Sequence, residues 1–274
     1  MAMGQTRPFR PFSHFGMTLA FLAMVIRVRL LNGKQPLLRH GGAGNRTTVT
    51  SDYLTLRQAQ DLMTAAQYAL TIGKPLTRHL TVRLERQGIS DADAVKAIGS
   101  LLTLLRDHLR KTTNDEIAYI WSRENGAIIG GHVHILLHLP AGYIWQGQRV
   151  QRWIERTSGN PYRKGTIKTT RVGRNAKAYE QNPGLYLANL ATVVGYIMKG
   201  TGPDASAVLQ LEKAQAQGRV IGKRCGMSLN IRSNRNTLAN KATTGPVLFP
   251  TWHTSIRKMP STSRLPCHQN HHRS

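Results

Sequence analysis

The chain has 274 residues, with 38 Lys+Arg against 13 Asp+Glu, a formal net charge of +25 and a pI near 11.2. A field this positive exceeds what solubility requires and implies a polyanionic partner, most simply nucleic acid. Its two cysteines, Cys225 and Cys267, form no CxxC pair, which argues against a disulfide framework or a structural zinc site and makes a reducing cytoplasm the expected setting.

The charge is unevenly spread. All 13 acids fall between Asp52 and Glu212, where 20 Lys+Arg leave a net +7, while the first 51 and last 62 residues carry 7 and 11 cations and no acid. The expected organisation is a basic, poorly ordered arm over 1–50, a folded unit over 51–236 and a basic, disordered tail over 237–274. Near the start, Arg7 and Arg10 precede an apolar run over 15–26. The run superficially resembles a signal peptide but is too short to span a bilayer and lacks a small-residue cleavage pattern. No membrane association is expected.

After a Gly/Arg/Thr-rich linker over 33–50, helical spacing predicts a helix over 54–72, stopped by Gly73-Lys74-Pro75. Residues 78–84 alternate as a strand with Leu80, Val82 and Leu84 inward. A helix over 91–111 follows, with Ser90 as its N-cap. A strand over 117–122 and a Gly-rich link over 125–131 lead into Gly131-His132-Val133-His134-Ile135-Leu136-Leu137, so these two strands are expected to form an antiparallel hairpin. Beyond them, the pattern predicts a helix over 148–156, a strand over 166–172, a helix over 185–199 entered through Pro183, and a helix over 204–217. No internal repeat is visible. The order implies an α+β fold, an antiparallel sheet with helices packed on one face.

The histidine strand carries the chemistry. Side chains alternate along a strand, so His132 and His134 point the same way about 6.6 Å apart, while Val133, Ile135 and Leu137 enter a core. Two such imidazoles can hold one divalent cation. His138 shares their face but lies about 13 Å from His134, too far for the same ion. Glu124 is the best third ligand, because the hairpin brings it beside His132; His79 and Glu85 are the alternates. On the helix over 185–199, Tyr186 sits at the edge of the buried stripe, whereas Tyr196 and Lys199 share a separate polar stripe at i, i+3. A tyrosine attacking phosphorus needs a nearby cation to stabilise its phenolate, and Lys199 can serve.

This combination resembles the HUH endonucleases, specifically single-tyrosine rolling-circle replication initiators (Rep proteins) of plasmids and small phages. The likeness spans about 76–200. It rests on the strand at Arg78–Leu84, on Gly131-His132-Val133-His134 followed by aliphatics, and on Tyr196-Ile197-Met198-Lys199 as a YxxK motif. It implies an RRM- or palm-like core and a Mg²⁺ or Mn²⁺ ion held by His132, His134 and Glu124. Tyr196 would be the nucleophile, forming a 5′-phosphotyrosine, with Lys199 assisting it. Single-stranded or hairpin origin DNA is the implied substrate, with a host helicase and polymerase as partners in a bacterial cytoplasm. No second tyrosine at YxxxY spacing and no Walker A sequence are present. Lys168, Arg171 and Arg174, then Lys223 and Arg224, are the expected DNA-binding cations. Trp121 and Trp153 are candidates for base stacking or for the core. A relaxase or HUH transposase uses the same chemistry; a basic nucleic-acid-binding protein with structural histidines is the non-enzymatic alternative. A metal-dependent hydrolase is disfavoured by the single carboxylate ligand.

Overall fold

A computed structural model describes residues 49–140, 142–173, 178–211 and 214–232. The two basic flanks, apart from the described residues at their inner ends, and Arg174 lie outside these residues. The elements in chain order are β1 (Thr50–Ser51), α1 (Leu56–Thr71), β2 (Arg78–Arg83), a 3₁₀ turn (Glu85–Gln87), α2 (Ala94–Thr113), β3 (Tyr119–Gly126), β4 (Gly130–Leu137), α3 (Gly147–Ser158), β5 (Ile167–Arg171), α4 (Ala178–Gln181), α5 (Pro183–Ile197), α6 (Pro203–Leu209), β6 (Val220–Ile221) and β7 (Cys225–Met227). Five strands form an antiparallel sheet in the order β5-β2-β4-β3-β7, and β1 pairs with β6 separately. The class is α+β, as expected.

Helices cover both faces of the sheet rather than one. Val133, Ile135 and Leu137 join Leu80, Val82 and Trp121 in a core with α2 and with Ile154 of α3. Leu136 and Ile120 face the other way, into a core with α1 and α5. The reason lies in the far end of β4, where Leu136 and Leu137 are both fully buried. A strand apolar on both sides needs cover on both faces, and counting only the odd-numbered residues of β4 concealed this.

Local chemistry explains most boundaries. Thr55 and Gln58 form a reciprocal capping box at the start of α1, each side chain accepting from the other's backbone N–H. Helix α2 begins at Ala94 rather than at Asp91, with Asp93 and not Ser90 at its N-cap; Ser90 Oγ accepts from the Asp93 N–H, and the Asp91 carboxylate meets Arg123 and the Ile221 N–H. Helix α6 ends at Leu209 rather than 217, with Gln210 in the left-handed region at φ 52°. The chain beyond returns to the sheet, where the Gln217 carbonyl accepts from the Asn125 N–H at 2.7 Å. The short strand β7, which closes the β3 side of the sheet, had no visible periodicity.

Among the described residues, Arg123 and Arg224 are the largest polar side chains that are fully buried. Arg123 anchors the sheet. It ion-pairs with Asp91 and donates to the Asp91 and Ile221 carbonyls, tying the turn before α2 to the segment that precedes β7. Arg123→Met is expected to leave Asp91 and these acceptors without their donor, costing about 3–5 kcal/mol. In a thermal melt followed by circular dichroism this corresponds to a fall of roughly 10 °C.

Candidate metal centre

The register of the sheet assembles the site. Glu124 of β3 lies directly across from His132 of β4, and Ser122 across from His134. On the other flank, Arg83 and Thr81 of β2 oppose the same two histidines. Cross-strand partners share a face, so Glu124, His132, His134, Thr81 and Arg83 converge on one side. The structure buries Glu124, His132 and His134 together, at 2 %, 3 % and 2 % exposure.

Glu124 Oε2 lies 3.0 Å from His132 Nε2 and 3.6 Å from His134 Nε2. One ligand atom from each residue falls within 4.8 Å of the others, so the group can hold a metal ion. Atoms bound about 2.1 Å from a common octahedral ion sit about 3 Å apart when adjacent, close to this spacing. The ring nitrogens are already oriented for it. His132 Nδ1–H donates to the Gly130 carbonyl at 2.8 Å, which turns Nε2 toward Glu124. His134 Nδ1 is held by Thr81 Oγ1 at 3.1 Å and His79 Nε2 at 3.2 Å. Among the described residues, His134 Nε2 and Glu124 Oε1 are buried without a hydrogen-bond partner, while Glu124 Oε2 faces Lys199 Nζ at 2.9 Å. Buried polar atoms without a partner call for one, and a cation held between these side chains would supply it to both.

Protonation favours the same outcome. Burial alone would push the Glu124 carboxyl up, but the two histidines and Lys199 outweigh it and hold the carboxyl well below its ordinary range. Burial pushes the His134 imidazole down against the pull of Glu124. His79 falls to about 4, first through burial and then through the charge it would share with His134 and the nearby cations Lys199 and Lys168. Neutral imidazoles and an ionised carboxylate are what metal ligation requires. For groups whose pKa is lower in the folded state, the unfolded chain binds more protons, so stability is lost as pH falls. The His79 contribution should drain from 6.5 and be spent near 4, with Glu124 following below 4.5. Denaturant titrations from pH 7 to 3 should show this slope, reduced in its upper part by His79→Gln and in its lower part by Glu124→Gln.

Tyr196 lies in the last turn of α5, 40 % exposed. Its ring is 5.1 Å from that of His134, edge-on. Lys199 Nζ sits 3.9 Å from the centre of the Tyr196 ring and 2.9 Å from Glu124 Oε2. The helix stops at Ile197 rather than 199, so Lys199 occupies the turn that follows and still meets Tyr196. That turn is fixed to the sheet by Ser122 Oγ, which donates to the Ile197 carbonyl at 2.5 Å. Tyr186 is fully buried and its hydroxyl donates to the Leu76 carbonyl at 3.0 Å, away from the histidines.

The remaining candidates separate. Glu85 is not on the strand; it opens the 3₁₀ turn, and its carboxylate accepts from the Gly131 N–H at 2.8 Å. His79 supports His134 from behind. Lys168 is exposed and opposes Thr81, on the face of the histidines, whereas Arg171 opposes Arg78 on the other face. An odd spacing along a strand always separates side chains in this way. Lys223 is exposed beside Trp121. Arg224 is 1 % exposed and donates to Ser51 and to the Gly218 carbonyl, so it braces β1 rather than reaching DNA. Trp121 belongs to the core, and Trp153 is half-buried against it. Arg83, exposed next to His132, also belongs to this face, where alternation from His79 places it. Comparisons with protein families, curated proteins and solved structures give no match. Among the described residues, no helix is long and apolar enough to cross a membrane.

Proposed function

We propose that the chain is a metal-dependent nicking and joining enzyme for single-stranded DNA, of the HUH type with one tyrosine. The observation that carries this reading is Tyr196, an accessible phenol beside three buried ligand-type side chains and one lysine. Glu124, His132 and His134 would hold Mg²⁺ or Mn²⁺, which when bound supplies Lewis-acid polarisation of the scissile phosphate. The Tyr196 phenolate oxygen attacks phosphorus. The bond to the 3′ oxygen breaks, and that oxygen leaves as a 3′-hydroxyl after taking up a proton. The 5′-phosphate remains on Tyr196. Lys199 stabilises the phenolate, and Arg83 and Lys168, exposed on the same face, draw the phosphate chain across it. Because the phosphotyrosine conserves the energy of the broken phosphodiester, a 3′-hydroxyl that attacks its phosphorus and releases Tyr196 rejoins the strand without ATP.

The released 3′-hydroxyl is a primer. Initiation of rolling-circle replication at a single-stranded or hairpin origin, with a host helicase and polymerase, is therefore the biological setting we favour. A relaxase or transposase would use the same site on a transfer origin or element end.

The test is an adduct assay. A panel of single-stranded oligonucleotides from the host replicon is incubated with Mn²⁺, resolved on a denaturing gel and mapped by peptide mass. An EDTA-sensitive adduct on Tyr196 is expected. Tight DNA binding that is indifferent to metal and yields no adduct with any origin-containing oligonucleotide would instead indicate a non-catalytic nucleic-acid-binding protein.

A further inference from the structure

The hairpin that presents Glu124 and His132 ends in a tip of unusual chemistry. The last paired residues are Gly126 and Gly130, two pairs and about 7 Å beyond the Glu124–His132 pair. The turn between them is Ala127-Ile128-Ile129, with Ile128 99 % and Ile129 48 % exposed. Tight turns favour Gly, Asn, Asp and Ser, and two consecutive β-branched residues in water contradict local preference. Such a conflict is expected where function, not folding, selects the residue.

The tip stands on a rigid base. On one side the Glu85 carboxylate takes the Gly131 N–H. Gly130, at φ +71°, adopts a backbone that other residues reach only with strain, and a Cβ there would displace the Glu85 carboxylate from the Gly131 N–H. On the other side the Asn125 N–H and side-chain amide donate to the Gln217 and Arg219 carbonyls. The base is also flanked by positive charge. Arg83 and Arg86 are exposed on the Glu85 side; on the other, Arg219 is exposed and paired with Asp52 at 2.9 Å.

We propose that Ile128 and Ile129 form an apolar wedge that stacks on the first base pair where duplex DNA gives way to single strand, holding the strands apart at the end of the hairpin that carries Glu124 and His132. This rests on the nicking reading above. Two exposed side chains are far too small an area for a stable protein interface, but an inserted aliphatic side chain is enough to unstack one base step. The flanking arginines match the phosphates of the two diverging strands. Because the wedge and two ligand residues share one hairpin, the distance from the junction to the scissile phosphate is set by the register.

The experiment compares wild type with Ile128→Ser/Ile129→Ser on two DNAs: a fully single-stranded oligonucleotide, and a fork with 2-aminopurine in its first base pair. The DNAs carry the sequence selected in the adduct assay, or an arbitrary one if none is selected. Wild type is expected to raise 2-aminopurine fluorescence on the fork. The double variant should lose that rise and nick the fork about tenfold or more slowly, with single-strand nicking within twofold of wild type. Ile128→Leu, which keeps the bulk, should retain both. Equal behaviour of wild type and double variant on the fork overturns the wedge, as does equal slowing on both DNAs. A wild type that raises the fluorescence through these isoleucines but forms no adduct keeps the wedge and overturns the nicking reading.

Discussion

Tyr196→Phe is expected to abolish the covalent DNA adduct and to lower nicking by a factor on the order of 10⁴ or more, the scale seen when a nucleophile is deleted. Only the hydroxyl is removed, and the ring keeps its contacts with His134 and Lys199. Because the residue is 40 % exposed, the melting temperature should stay within about 1 °C of wild type. Tyr186→Phe should behave in the opposite way. Its hydroxyl satisfies the buried Leu76 carbonyl, so its loss costs about 1 kcal/mol or more while adduct formation persists. A gel assay and a thermal melt on the same two proteins separate the roles. An adduct in Tyr196→Phe, or none in Tyr186→Phe at a temperature where it is folded, would reverse the assignment.

Glu124→Gln should give the second large effect, and it can be read without DNA. The carboxylate is the only acidic member of the ligand group, and its replacement by an amide should weaken Mn²⁺ binding by a factor on the order of 10² or more. A ligand at one hundred times its Kd stabilises a folded protein by about 2.7 kcal/mol. Wild type should therefore melt several degrees higher with Mn²⁺ at that level, and Glu124→Gln should shift by about 1 °C or less at the same concentration. Lys199→Met distinguishes charge from packing. Its ammonium occupies Glu124 Oε2 at 2.9 Å, the atom a cation would use, so its removal should preserve or strengthen the Mn²⁺ shift while impairing nicking. A Lys199→Met protein that no longer responds to Mn²⁺ would mean that the lysine builds the site rather than competing for it.

Much of the site was legible because its parts obey short-range rules. The i, i+2 spacing of His132 and His134 puts both on one side of any strand, and the glycines after Asn125 bring Glu124 back beside them. The helical wheel separates Tyr196 from Tyr186. Long-range features were hidden. The three residues of β7 carry no period of their own and are strand only because β3 offers them an edge. Arg224 reads as a DNA-binding cation, yet it is interior like Arg123, because backbone carbonyls from distant segments supply their acceptors. Glu85 continues the alternation of β2 on paper, but the strand ends at Arg83 and a turn redirects the carboxylate to the hairpin. Composition could not separate the cations that face DNA from those that hold the chain together.

The order of the sheet also bears on self-association. Among the described residues, β7 shields one margin of β3, and β5 is left with an unpaired row of backbone donors and acceptors. An open margin of this kind invites the same strand from a second molecule. Here it carries Lys168 and Arg171, exposed on opposite faces. Two such margins approaching each other would bring like charges together above and below the plane of pairing, which opposes fibril-like stacking of this basic chain during folding and storage.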